Sequence, residues 1–130
     1  MHALADAILR RDFDAVEALL ADDVVFTSPV AFKPYNGKPV AAAILRAVST
    51  VFEDFGYVRE IVSADGRDAV LEFEATVNGK KINGADFLRV NDVGKVEDFK
   101  VMVRPLSAAQ ALAERMKVAF AAAMGQSASG

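Results

Sequence analysis

Cysteine is absent from the chain, histidine occurs once, and no apolar run approaches the length of a bilayer crossing. Without thiols there are no disulfides and no thiolate metal sites, and His2 alone cannot form an imidazole cluster around a transition metal. No metal and no cofactor are therefore expected, and any bound ion would be oxygen-ligated. Apolar runs such as Val40 to Leu45 fall far short of the roughly 20 residues a membrane helix needs. Acidic residues occur in Met1 to Asp12, where a signal peptide would carry its apolar stretch. The expectation is a cytoplasmic protein with no membrane partner. Concentrated positive charge is also missing: the net charge is −3 and the pI near 5.1. Because Lys and Arg are scattered in no run longer than two, nucleic acid is not an expected partner. Lys80 and Lys81, beside Asn78 and Gly79, read as a solvated hairpin tip. Repeats, Pro-rich linkers and compositional breaks are lacking too, so one domain over residues 1–124 is expected.

What is present is a 130-residue chain, 53% hydrophobic and 25% charged, enough for a single core. Apolar residues recur at helical spacing over Leu4 to Leu9 and Phe13 to Leu20, with Asp12 placed to cap the second helix. Asp23 to Val30 is rich in strand formers and ends at Pro29. Val40, Ile44, Val48, Val51, Phe52 and Phe55 form one stripe after Pro39, which predicts a single long core helix through Phe55. The period then falls to two. Four strands are predicted at Tyr57 to Ala64, Arg67 to Asn78, Asn83 to Asn91 and Lys95 to Arg104, joined by turns at Asp65-Gly66, Asn78-Gly79 and Asn91 to Gly94. After Pro105 a last helix is expected, opened by Ser107 and Gln110 as a capping box and carrying Leu112, Met116, Phe120 and Met124 on one side. Residues 125–130 are small and polar and are expected to form a disordered tail.

The run Asp12-Phe13-Asp14-Ala15-Val16, then Leu19 to Phe26, then Ser28-Pro29, resembles the opening of SnoaL-like proteins of the nuclear transport factor two-like superfamily. Asn83 to Val90 and Gly94-Lys95-Val96 are similar to the closing strands of that family. The resemblance implies an α+β fold of cystatin-like roll type. In it a cone-shaped, curved and mostly antiparallel sheet is covered by helices around an apolar pocket. It also implies a homodimer, with Phe87 and Met102 emerging on the outer sheet face. The family includes polyketide cyclases, ketosteroid isomerases, limonene epoxide hydrolases and non-catalytic binders, so fold alone does not assign an activity.

Residue by residue, the resemblance to ketosteroid isomerases is partial. Ser28 stands where those enzymes carry a general-base Asp before a Pro, and a hydroxyl is no base near neutral pH. Leu4 stands where their oxyanion-holding Tyr comes from the first helix. Asp86 does match their second oxyanion donor. Strand parity points Asp86 inward with Leu88 and Val90, and a carboxyl among apolar side chains is expected to have a raised pKa and to act as acid or base. The competing reading is that Asp86 pairs with Arg59, Arg67 or Arg89, or lies solvated at the rim. Glu97 shares inward parity with Phe99 and Val101 and is the candidate for a second carboxylate, with a plain surface charge as its alternative.

The expected ligand-binding lining is Phe26, Ser28, Tyr35, Phe52, Phe55, Leu71, Phe73, Leu88, Phe99 and Val101, with Ser28 and Tyr35 as polar handles and the Ala31 to Gly37 loop at the mouth. The same residues would serve equally as packed core. Two functions stay open: an isomerase, cyclase or hydrolase acting on a small hydrophobic molecule through Asp86, or a non-catalytic module for ligand binding or dimerisation.

Overall fold

The computed structural model describes residues 2–129, with side chains described for 2–122. The expectations for Met124 and for the tail over 125–130 therefore lie outside the described side chains. Two short helices open the chain, α1 (Ala3–Leu9) and α2 (Phe13–Leu19). The Asp12 carboxylate accepts a hydrogen bond from the Ala15 amide at 3.1 Å, as its capping position predicts. Strand β1 (Leu20–Thr27) follows directly, starting earlier than expected because Leu20 and Ala21 are already buried. A two-residue strand β2 (Tyr35–Asn36) lies in the loop that was expected to be irregular.

Helix α3 (Lys38–Ser49) stops well before Phe55, which corrects the prediction of one long helix. The Ser49 hydroxyl donates to the Arg46 carbonyl at 2.6 Å and the Thr50 hydroxyl to that of Ala47 at 2.7 Å. Such side-chain bonds compete with helix continuation. The apolar spacing persists across the break because Phe52 and Phe55 face the same interior from a strand entry as they would have from a helix. Three long strands come next, β3 (Glu53–Val62), β4 (Asp68–Val77) and β5 (Lys80–Val90), then β6 (Val96–Arg104) and helix α4 (Leu106–Ser129). The β4–β5 reversal uses Asn78 and Gly79, both at positive φ (50° and 74°), with Val77 paired to Lys80. That is the two-residue hairpin the Asn-Gly pair favours. Helix α4 begins at Leu106, so Ser107 and Gln110 lie within it and do not cap it. The Pro105 carbonyl accepts the first turn's bond from Ala109.

The six strands form one curved, open sheet in the order β2-β1-β6-β5-β4-β3, antiparallel except where β1 runs parallel to β6. Along β4, Leu71, Phe73, Ala75 and Val77 are buried and alternate with more exposed Val70, Glu72, Glu74 and Thr76. One face therefore carries the core and the other is open. The core has two parts. Leu4, Val16, Leu20, Leu71, Leu88 and Phe99 pack beneath the first three helices. Val51, Val77, Ile82, Ala108 and Leu112 pack beneath α4. No helix among the described residues is long and apolar enough to cross a membrane.

Candidate functional site

Between the concave sheet face and helices α1, α3 and α4 lies a cavity of about 560 Å³, the size of an ordinary small-molecule site. Phe26, Ser28, Tyr35, Phe52, Phe55, Phe73, Phe99 and Val101 stand on its wall, and so does Asp86. Leu71 and Leu88 do not. Both share the parity of Asp86, Leu71 as its cross-strand partner on β4 and Leu88 two residues along β5, but both belong to the solid cluster with Leu4, Val16 and Leu20. Parity selects a face of the sheet; the seating of the helices over that face decides where it meets a cavity and where it is filled.

Aromatic packing shapes the wall. The rings of Phe52 and Phe55 stack at 5.6 Å, and each lies within about 5.5 Å of Phe73. Phe55 meets Tyr57 edge-on at 5.0 Å. A bulge in β3 sets this arrangement: between the pairs Glu53–Thr76 and Gly56–Glu74, two residues of β3 oppose one of β4. Asp54 adopts a left-handed φ of 52° there, and the extra residue re-aims Phe55 into the cavity. Phe73 in turn rests on Gly84. A β-carbon at residue 84 would overlap the Phe73 ring and lie 2.8 Å from the Met102 carbonyl oxygen.

Asp86 is 5% exposed and is the single buried charged or polar residue among the described side chains. Burial, with no compensating cation or hydrogen bond among the described residues, pushes its carboxyl up to about 8. The three arginines named as its competing partners are engaged elsewhere. Arg59 binds Glu72 at 3.0 Å, Arg67 binds Asp92 at 3.0 Å, and Arg89 binds Asp68 at 2.9 Å. Glu97 does not join Asp86 either. The register passes from Arg89–Asp98 to Val90–Val96, which leaves Glu97 as the extra residue of a bulge. Its carboxylate lies 3.6 Å from Arg89. The inward parity assigned to Glu97 is corrected by that bulge, because one inserted residue reverses the alternation.

One interior residue not singled out in the sequence is Tyr57. Its hydroxyl is buried at the cavity wall and has no hydrogen-bond partner among the described residues. Burial first, and the charge of Asp86 second, raise the phenol well above its ordinary value. Leu4, by contrast, is fully buried core. A phenol therefore enters the site from β3, where α1 supplies only a hydrocarbon. The Ser28 hydroxyl accepts a hydrogen bond from the Val30 amide at 3.1 Å, which ties it to its own loop. Tyr35 meets Phe120 edge-on at 6.3 Å and closes one side of the mouth. Exposed Arg11, Asp54 and Lys117 complete the rim; none of the three was picked out in the sequence.

At neutral pH the interior thus offers two O–H donors, protonated Asp86 and Tyr57, in an otherwise apolar chamber. Donors without protein partners in an apolar site suit a carbonyl oxygen or a developing oxyanion, because they are positioned before the ligand arrives.

A family model described as the SnoaL-like domain matches residues 1–99. The chain is 49% identical to a steroid delta-isomerase from Pseudomonas aeruginosa, with 92% of this chain and 88% of that one covered and a TM-score of 0.87. It is 33% identical to an uncharacterised bacterial protein with a cystatin-like fold from Silicibacter pomeroyi DSS-3, covering 91% and 85% at a TM-score of 0.85. An NTF-2-like protein of unknown function from Burkholderia xenovorans LB400, 21% identical over 83% and 86% at a TM-score of 0.65, shares the fold. Among curated proteins nothing matches the chain.

Proposed function

Because the chain belongs to the SnoaL-like domain family, we propose that its cavity receives a small hydrophobic molecule bearing a carbonyl oxygen, which protonated Asp86 and Tyr57 polarise together. The observation that carries this reading is the pairing of a buried carboxyl held neutral near pH 7 with a buried phenol that lacks a partner. The likeness to a steroid delta-isomerase supports a ring-bearing ligand of steroid kind. Ser28, tied to its own loop, supplies no base. Any isomerisation, cyclisation or hydrolysis would use Asp86 as the acid and take its base from the substrate or from Asp54 at the rim. Thermal shifts test the binding step. Apolar ketones should raise Tm more than matched hydrocarbons, and the difference should vanish in Asp86→Leu. A flat response to every ketone would sink the reading, and turnover unaffected by Asp86→Asn would remove the acid role.

The second reading is a non-catalytic binder that works as a homodimer. It is favoured by the outer sheet face, where Ile61, Val70 and Phe87 form one cross-strand row beside exposed Met102. An apolar row of this kind is suited to burial against a second copy.

A further inference from the structure

The mouth of the cavity differs chemically from its interior. Arg11 and Lys117 stand at the rim from opposite ends of the chain, and among the described residues neither forms a salt bridge with a carboxylate. Asp54 is the one acidic side chain on the rim, which leaves an excess of positive charge there on a protein whose net charge is −3.

Arg11 sits where another residue would suit the backbone better. The Arg11 amide donates to the Ile8 carbonyl and the Asp12 amide to that of Ala7, the two bonds that close a helix with a left-handed residue. Arg11 is that residue, at φ 57°, a position glycine occupies without strain. The guanidinium is then held at the rim: Nη1 donates to the Ser49 carbonyl at 3.3 Å, and the group lies 6.0 Å from the centre of the Phe13 ring. Its remaining N–H donors are available. Lys117 projects from the α4 face that also brings Met116 and Phe120 to the cavity.

We infer that the ligand is an amphiphile with an anionic group, a carboxylate or sulfate for example, held at the mouth by Arg11 and Lys117 while its apolar body and neutral oxygen occupy the chamber. This rests on the proposed binding of an apolar molecule and adds the charge and the orientation in which it lies. A neutral molecule of the same shape would fill the chamber and leave both cations unpaired.

Two dyes of nearly identical skeleton separate the terms: anilinonaphthalene sulfonate, which carries the anion, and phenylnaphthylamine, which lacks it. Each is titrated by fluorescence into the wild type and into the double variant Arg11→Gly/Lys117→Gln, glycine being chosen because it suits the left-handed turn. The wild type should bind the sulfonate more tightly. The double variant should lose about fivefold of that affinity, the scale of two solvent-exposed ion pairs, with the neutral dye unchanged. Raising the salt concentration should weaken the sulfonate alone. Equal affinity for the two dyes, or a sulfonate affinity indifferent to the double variant, overturns the anionic assignment and leaves the apolar cavity standing. Failure of both dyes to bind wild type overturns the cavity reading and this inference with it.

Discussion

Tyr57 and Asp86 lie on strands that do not touch, β3 and β5, yet both side chains end at one cavity wall, where the carboxylate charge of Asp86 raises the phenol further. Intervening β4 makes this geometry. Tyr57 pairs with Phe73, Phe73 with Gly84, and Asp86 follows two residues along β5 on the same face. Gly84 contributes no side chain, so Phe73 lies flat across it and the space beside Tyr57 stays open.

The first prediction concerns pH. Asp86 is neutral in the folded chain up to about 8, whereas in the unfolded chain it ionises near 3.9. Between those values the folded state holds the extra proton, so the Asp86 contribution to stability falls as pH rises through the window and is fully lost above it. Urea midpoints at several pH values between about 5 and 9 should decline more steeply in the wild type than in Asp86→Asn, whose side chain does not titrate. Parallel profiles would show that Asp86 is already ionised when folded.

Tyr57→Phe should separate stability from binding. Removing a buried hydroxyl that has no partner should stabilise the ligand-free protein by about 1 kcal/mol. The same change should lower the affinity for an apolar ketone about tenfold, the size of one lost hydrogen bond. Melting curves with and without ketone measure both effects, and a lower Tm in the ligand-free variant would contradict the first.

Gly84→Ala should destabilise by about 1–3 kcal/mol, because the new methyl group would overlap the Phe73 ring and the Met102 carbonyl. Phe73 lines the cavity, so its displacement should shrink ketone-induced stabilisation in the same variant. Chemical denaturation combined with the thermal-shift assay checks the pair of outcomes.

The outer face is tested by charge. Met102 is 55% exposed and Phe87 39% exposed. If they lie between two copies, Met102→Lys should convert a dimer to a monomer in sedimentation equilibrium without lowering the monomer's own stability. A wild type that sediments as a monomer would remove the proposed interface.

Much of the fold was legible because it depends on neighbours in sequence. Asp12 caps α2, Asn78-Gly79 reverses β4 into β5, and the alternation of β4 assigns its faces, all through interactions spanning a few residues. The end of α3 was not legible. Val48, Val51, Phe52 and Phe55 suit a helical stripe and a strand entry equally, and the hydroxyls of Ser49 and Thr50 decide between them. Asp86 was found by parity and by its likeness to a family position. Tyr57 escaped because β3 begins with a bulge, and no alternation survives a bulge of unknown place. Glu97 was misplaced for the same reason on β6.

By itself, then, the sequence determined the order of elements apart from β2, the turns, the inward face of β4 and the candidacy of one carboxyl, since these follow from local backbone preference and a period of two. Only the tertiary structure decided that the face is hollow near Asp86 and solid at Leu71 and Leu88, that a phenol from β3 joins the site, and that two cations ring its mouth. Those outcomes depend on sheet curvature, bulges and the seating of helices across residues far apart in the chain, and no local pattern encodes the distance between two side chains on different strands.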